Sequence, residues 1–362
     1  VTGLAGPGGG VIGLQKKSSN LLTRVPGGAM TATAGTAAGN TWHVTAEMPG
    51  DFDWVRLIYR SVEVGSIVLT SAGIAVNDGM TAYPGYTGTF VPVTFGGAAK
   101  GTIPARIAAS VPSILVSDWI PITSLARLDG GSLPLLIART YVQTPDGSGA
   151  GTGYSYNTRI STGALSGPLW KQINATVDGV GTPASFTSTA VSANGLLAGI
   201  QVMSRKNACT VSFAGDSVQA GQGSTLGVAS AGYLACASIS KSVFPVVYSG
   251  DAATNGASPA TYWQIFSNNV SVIKPKVAFY QVSSINEAVT TQAIQDKHYS
   301  YAMRFLQDCY DNNVIPVLQT CWPQNRGSTP NDALRKGLND RIRALATTST
   351  TSMPIRVCDV DA

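Results

Sequence analysis

The sequence predicts two domains, an antiparallel β-sandwich or jelly roll followed by a three-layer α/β domain built on a parallel sheet. Three observations predict it. The chain has 362 residues, about twice the usual length of one domain. Charged residues make up only 12% while 40 positions are Gly, the usage of a turn-rich protein rather than of long charged helices or coiled coils. The hydrophobic rhythm also changes after Arg205, from short alternating runs to apolar strands separated by longer amphipathic stretches.

The first 40 residues, beginning VTGLAGPGGG, are too Gly-rich to pack alone and read as an extended arm or a tie to a neighbouring subunit, so a homo-oligomer is an expectation. Val1 stands where an initiator Met would be, which suggests a chain cut from something longer. Residues 41–206 form the first domain. Its strands read as Trp42 to Met48, Trp54 to Val62, Ser66 to Val76, Thr89 to Phe95, Ser113 to Ile122, Leu135 to Val142 and Leu196 to Met203. Between Thr144 and Gly167 lies a Gly/Ser/Thr/Tyr-rich stretch with the character of a long loop or linker.

Residues 207–362 form the second domain. Thr210 to Ala214, Phe244 to Tyr248, Val277 to Val282, Val314 to Gln319 and Ile355 to Cys358 read as strands. Leu226 to Ile239, Gln292 to Tyr310 and Asp332 to Ala346 read as helices. Strand and helix in alternation imply a parallel sheet covered on both faces. In the second helix Ile294, Tyr301, Ala302, Phe305 and Cys309 share one face; in the third, Leu334, Leu338, Ile342 and Leu345 do so, with Asn331 as the expected N-cap.

Several functions are excluded by composition. No run approaches 18 apolar residues, so no membrane-spanning helix is expected, and the start lacks the pattern of a signal peptide. The net charge of +5 is spread thinly: residues 1–206 hold 13 basic and 9 acidic side chains, residues 207–362 hold 11 and 10. Nucleic acid is therefore not an expected partner. Cys209, Cys236, Cys309, Cys321 and Cys358 form no CxxC pair and have no His-rich partner tract, so they read as buried small hydrophobes and neither metal nor cofactor is expected. There is no P-loop, no dinucleotide fingerprint and no Gly-x-Ser-x-Gly elbow.

Chemistry is concentrated in the second half. The first parallel strand runs into Gly215-Asp216-Ser217, which puts a hydroxyl at the crevice edge where open α/β sheets bind ligands. Ser249-Gly250-Asp251 follows the second strand and Ser284-Ile285-Asn286-Glu287 the third. In this order the blocks resemble the SGNH hydrolases, also called GDSL esterases and lipases, over about 155 residues from Cys209 onward, and imply the flavodoxin-like sheet of that family. The resemblance implies Ser217 as nucleophile and oxyanion donor, Gly250 as a second backbone donor and Asn286 as a third through its side-chain amide. Ser284 stands where the family has Gly, and Glu287 where it has Asp.

The family closes with Asp-x-x-His, its base and orienting acid, and no such motif occurs. Reading Asp359 as its Asp puts Ala362 where His belongs, so the base is expected on a C-terminal segment beyond residue 362. His298 reads as a packed structural histidine and His43 as part of the first domain. Asp251 and Glu287 are the carboxylate pair a glycosidase reading would use.

In the first half Trp42, Trp54, Trp119 and Trp170, with Tyr83, Tyr86, Tyr154 and Tyr156, are candidates for stacking on sugar rings. Against that, Trp54 and Trp119 lie inside apolar runs and read as core. The resulting expectation is an extracellular or particle-associated serine esterase that removes acyl groups, O-acetyl on a polysaccharide first among them. The alternative is a glycan-binding surface or virion-associated structural protein with an inactive hydrolase fold. An esterase or lipase for small or lipid esters is a third reading.

Overall fold

The computed structural model of the protein describes residues 20–24, 30–32, 40–47, 52–61, 63–77, 90–107, 113–125, 135–142, 155–157, 172–175, 178–180, 189–190, 196–204, 209–215, 238, 243–249, 270, 274–283, 288–323 and 329–361. In its first part the strands are β1 (Asn20–Arg24), β2 (Met30–Ala32), β3 (Asn40–Glu47), β4 (Phe52–Ser61), β5 (Ile67–Leu69), β6 (Ser71–Asn77), β7 (Val91–Pro92) and β8 (Gly101–Ile103). They continue as β9 (Ser113–Val116), β10 (Ile120–Pro121), β11 (Leu135–Val142), β12 (Ser155–Asn157), β13 (Gln172–Ala175), β14 (Thr189–Ala190) and β15 (Leu197–Ser204).

Two antiparallel sheets dominate this part, one in the order β14-β13-β3-β11-β6-β7 and one in the order β1-β15-β4-β10, with β9 also on β4. A single core draws on both. Trp42, Val44, Ile74, Val76, Leu136 and Ala138 come from the first sheet, and Val55, Leu57, Tyr59, Ile200 and Val202 from the second. Along β4 the residues Val55, Leu57 and Tyr59 alternate inward, as the two-residue period of a strand demands. The Tyr59 hydroxyl meets the Thr140 hydroxyl at 2.9 Å and so stays bonded within the apolar layer.

Several expectations are corrected here. The run Ser66 to Val76 is two strands, broken at Thr70, whose N–H goes to Tyr141 O. The run Thr89 to Phe95 contributes only β7, an edge strand, where Pro92 lacks the N–H that a central position requires. Ser113 to Ile122 is β9, β10 and a 3₁₀ turn over Ile122–Ser124. Within the first 40 residues β1 pairs with β15, and within the Gly-rich stretch after Thr144 β12 pairs with β2. Trp42 is core, but Trp54 is 40% exposed because it falls on the outward register of β4.

The second part contains β16 (Cys209–Gly215), β17 (Val243–Ser249), β18 (Val277–Gln281), α1 (Gln292–Asp311), β19 (Ile315–Gln319), α2 (Thr329–Thr347) and β20 (Arg356–Cys358). The five strands are parallel, in the order β17-β16-β18-β19-β20. One face packs on α1 and α2 through Ala214, Tyr280, Leu318, Phe305, Leu338 and Ile342, with the Tyr280 and Phe305 rings 5.1 Å apart. On the other face Phe213 stacks on Phe279 at 4.8 Å. The helix expected over Leu226 to Ile239 lies outside the described residues, Ser238 apart.

Helix α1 starts where Thr291 accepts the Ile294 N–H, a side-chain cap. Its buried residues are Gln295, His298, Ala302, Phe305, Leu306 and Cys309, whereas Ile294 and Tyr301 are half-buried. Gln295 takes the inner place because its amide donates to Leu334 O of α2 at 2.7 Å. Helix α2 begins at Thr329, so Asn331 lies in its first turn and is not the cap.

Candidate functional site

The carboxyl ends of the parallel strands form one continuous edge. Gly215 is paired with Ser249 across β16 and β17, Ala214 with Tyr280 across β16 and β18, Gln281 with Gln319, and Gln319 with Cys358. Neighbouring strands are about 4.8 Å apart, so the three chain exits of β17, β16 and β18 fall within about 10 Å of one another. Ser217 comes two residues after β16 and Gly250 one residue after β17. Asn286 comes three residues after Ser283, where the description of the β18 exit stops. All three, with Asp251 and Glu287, lie outside the described residues. The structure brings their strands together and does not describe the side chains.

Beside that exit the edge is tightly braced. The Gln281 amide donates to Ser283 O at 3.0 Å, and Val282 N donates to Gln319 O at 3.2 Å. Ser283 also shares a hydrogen bond with the Cys321 thiol, which burial pushes up to about 12. Cys321 is held through its backbone: its N–H donates to Asn339 Oδ1 at 2.7 Å, and its carbonyl accepts from Asn339 Nδ2 and Arg335 Nη1. Asn339 and Arg335, both buried in α2, reach onward to Asp361, while Asp332 bonds Arg335 at 2.7 Å. Burial works against the Asp361 carboxylate, but the bonds from Asn339 and Arg335 outweigh it and hold the group below the usual range.

Asp359 is equally engaged. Arg343 grips it with Nε and Nη2 at 2.8 and 3.0 Å, and the Thr320 hydroxyl donates at 2.9 Å, so its carboxyl is held at about 2. Both acids of the tail are thus structural ion-pair partners. The sequence reading missed this network. Its signal was present as polar Arg335 and Asn339, four residues apart on the apolar seam of α2, opposite the alternating Asp359 and Asp361.

His298 sits within the packed side of α1 with the Val282 backbone as hydrogen-bond partner. Burial, and secondarily the neighbouring Lys297 charge, lower it to about 4, against the smaller opposing effect of the Val282 bond. It is neutral near pH 7 and enclosed, as expected of a structural histidine. His43 lies in β3, in register with Arg139 and Ile173, within the antiparallel part. In that part the Arg56 guanidinium covers Trp119 at 4.4 Å and donates to Gln201 at 2.7 Å. Trp170, Tyr83, Tyr86 and Tyr154 lie outside the described residues, as does Cys236. Cys309 is buried like Cys321, whereas Cys209 and Cys358 are half-buried.

Neither the scan against protein-family models nor the search of curated proteins finds a match. Among solved structures the chain is similar to an active-site mutant of a family two carbohydrate esterase from Clostridium thermocellum, at 9% identity over 95% of this chain and 90% of that one, TM-score 0.35. It is also similar to the salicylyl-acyltransferase SsfX3 of a tetracycline biosynthetic pathway, at 8% identity over 94% and 82%, TM-score 0.32. A family two carbohydrate esterase from Cellvibrio japonicus is similar at 9% identity over 94% and 89%, TM-score 0.30.

Proposed function

We propose that residues 207–362 are an SGNH-type hydrolase domain, that residues 41–206 are a β-sandwich accessory domain, and that the protein is a serine esterase removing O-acetyl groups from a polysaccharide. The observation that carries the reading is the pairing of Gly215 with Ser249 and of Ala214 with Tyr280. It sends the three motif-bearing segments out side by side from the carboxyl edge of one parallel sheet, the place where such sheets bind ligands.

In this mechanism the Ser217 oxygen attacks the acyl carbon while its proton passes to a base. Charge develops on the carbonyl oxygen, to which the motif resemblance assigns the Ser217 and Gly250 N–H groups and the Asn286 amide as donors; each such donor is worth about 3 kcal/mol in the transition state. The bond to the sugar oxygen then breaks, the alcohol leaves with the proton, and water repeats the sequence on the acyl-serine. Gly at 250 gives the substrate access to the backbone without a Cβ in the way. Of the two histidines, His298 is enclosed with the Val282 backbone as hydrogen-bond partner and His43 belongs to β3, so neither is assigned as the base.

Rapid-quench mass spectrometry with p-nitrophenyl acetate tests this. An acetyl group on the peptide containing Ser217 is expected, absent after Ser217→Ala. The second reading, a glycan-binding protein with a silent hydrolase fold, is favoured by the engagement of Asp359 and Asp361 in ion pairs. It predicts glycan binding without any acetyl-serine.

A further inference from the structure

We infer that the outward face of the sheet β1-β15-β4-β10 binds an acidic polysaccharide, with Trp54 stacking on a uronic acid ring and the Arg56 guanidinium pairing with that ring's carboxylate. The inference concerns the antiparallel part and is independent of the serine chemistry. Along β4 the side chains of Val55 and Leu57 enter the core, so Trp54 and Arg56 stand on the opposite face, two residues or about 7 Å apart. Exposure grades along this face, from buried Arg60 and Ile58 through half-buried Arg56 to Trp54 at 40%. Arg56 sits where the covered part of the face gives way to open surface.

Register fixes the surroundings of both side chains. Trp54 lies between Pro121 of β10 and Met203 of β15, both half-buried. In the next row Arg56 lies opposite Gln201 of β15, whose Oε1 accepts its Nε–H at 2.7 Å. Trp119, the residue before β10, carries the guanidinium on its ring at 4.4 Å. The guanidinium is therefore aimed before a ligand arrives, flat on an indole and gripped at Nε, while its Nη1 and Nη2 edge is bonded to no described residue. A group held in place in advance loses little freedom on binding.

Its charge is also left uncancelled. Among the described residues Arg56 has no carboxylate partner. Asp118, the acid next to Trp119, is turned to the Thr94 hydroxyl and the Gly96 and Gly97 N–H groups. Burial pulls the Arg56 guanidinium below its usual range with no acid opposing the shift, yet arginine stays protonated at any ordinary pH. A half-buried cation without a counter-charge, beside an exposed indole, complements a ligand that joins a carboxylate and an apolar ring face in one unit. A pyranuronate does so: its CH face stacks on the indole, and its carboxylate takes two parallel N–H bonds from the Nη edge. A nucleic acid would need a track of cations along its backbone, and Arg56 is the one cation among the described residues of the open face.

The test is calorimetry of the full chain with oligomers of galacturonate, of mannuronate and of hyaluronan, with the neutral methyl ester of each, and with an oligothymidylate, at low and at physiological salt. At least one acidic oligomer is expected to bind, and its methyl ester about tenfold more weakly. Trp54→Ala and Arg56→Gln should each weaken Kd about tenfold, Trp54→Phe should recover part of the loss, and Arg56→Gln should reduce the salt dependence. The exposed indole makes Trp54→Ala neutral for Tm, so that variant and the methyl esters decide the matter even if Arg56→Gln folds poorly. The inference is overturned if no acidic oligomer binds, if the methyl ester binds as well, if Trp54→Ala leaves Kd unchanged, or if the oligothymidylate binds more tightly than every glycan. A dimer in sedimentation that Trp54→Ala dissociates would also overturn it, by making this face a contact between two copies of the chain.

Discussion

Protonating His298 should unfold part of this protein's stability in a defined pH window. The imidazole is held at about 4 by burial in α1, while in the unfolded chain it titrates near 6.5. Below 6.5 the unfolded chain therefore takes up a proton that the folded one refuses until about pH 4. Stability is full above pH 6.5, falls as pH drops through the window and levels off below 4. A difference of about 2.5 units at 1.36 kcal/mol each sets the loss at about 3 kcal/mol. The assay is urea unfolding at pH 7.5, 6, 5 and 4.5, for the parent and for His298→Gln in a His43→Gln background. The stability gap between the two should change by 2–3 kcal/mol, as an order-of-magnitude figure, from pH 7.5 to 4.5. A gap independent of pH would refute the argument. A kcat/KM limb near neutral pH that disappears in His298→Gln would instead make His298 the base.

The braced edge gives two further expectations. Asp361→Ala leaves Arg335 with the Asp332 carboxylate and the Cys321 carbonyl and removes one partner of Asn339; stability should fall by about 2–4 kcal/mol, read as a lower Tm, because a buried guanidinium loses its enclosed counter-charge. Asp359 is held at about 2 by Arg343 and Thr320, so its contribution is complete above the unfolded value of about 3.9 and is lost as pH falls toward 2. Arg343→Met should flatten that acid limb in unfolding curves recorded between pH 4.5 and 2, and an unaltered limb would show that the pair contributes nothing.

Legibility differed between the two parts for physical reasons. In β4 and β11 the period-two pattern is carried by large residues such as Val55, Leu57 and Leu136, so strand and inward face could both be read. Strands of two to four residues, β8, β12, β13 and β14, carry too few side chains for a period to register and are held by pairing with distant partners. Trp54 shows the limit of composition alone: it sits in an apolar run, but its register on β4 turns it outward. In the second part the alternation of strand and helix was enough to foresee five strands and two of the helices in their places, whereas their order in the sheet is a tertiary fact. Gln295 displaced Ile294 from the inner seam because a hydrogen bond to α2, invisible in a hydropathy pattern, made the polar side chain the better fit. Ser217, Gly250 and Asn286 were legible only as motifs, and the ends of β16, β17 and β18 supply their setting.

The most direct measurement is kcat/KM for p-nitrophenyl acetate, taken on the protein in the longest form in which it is made and on its Ser217→Ala variant. Removing one hydroxyl oxygen at a strand exit should leave Tm nearly unchanged. The rate should fall by about 10³-fold or more, since no other group can form the acyl-enzyme. An active parent whose Ser217→Ala variant keeps its rate would contradict the serine-esterase account.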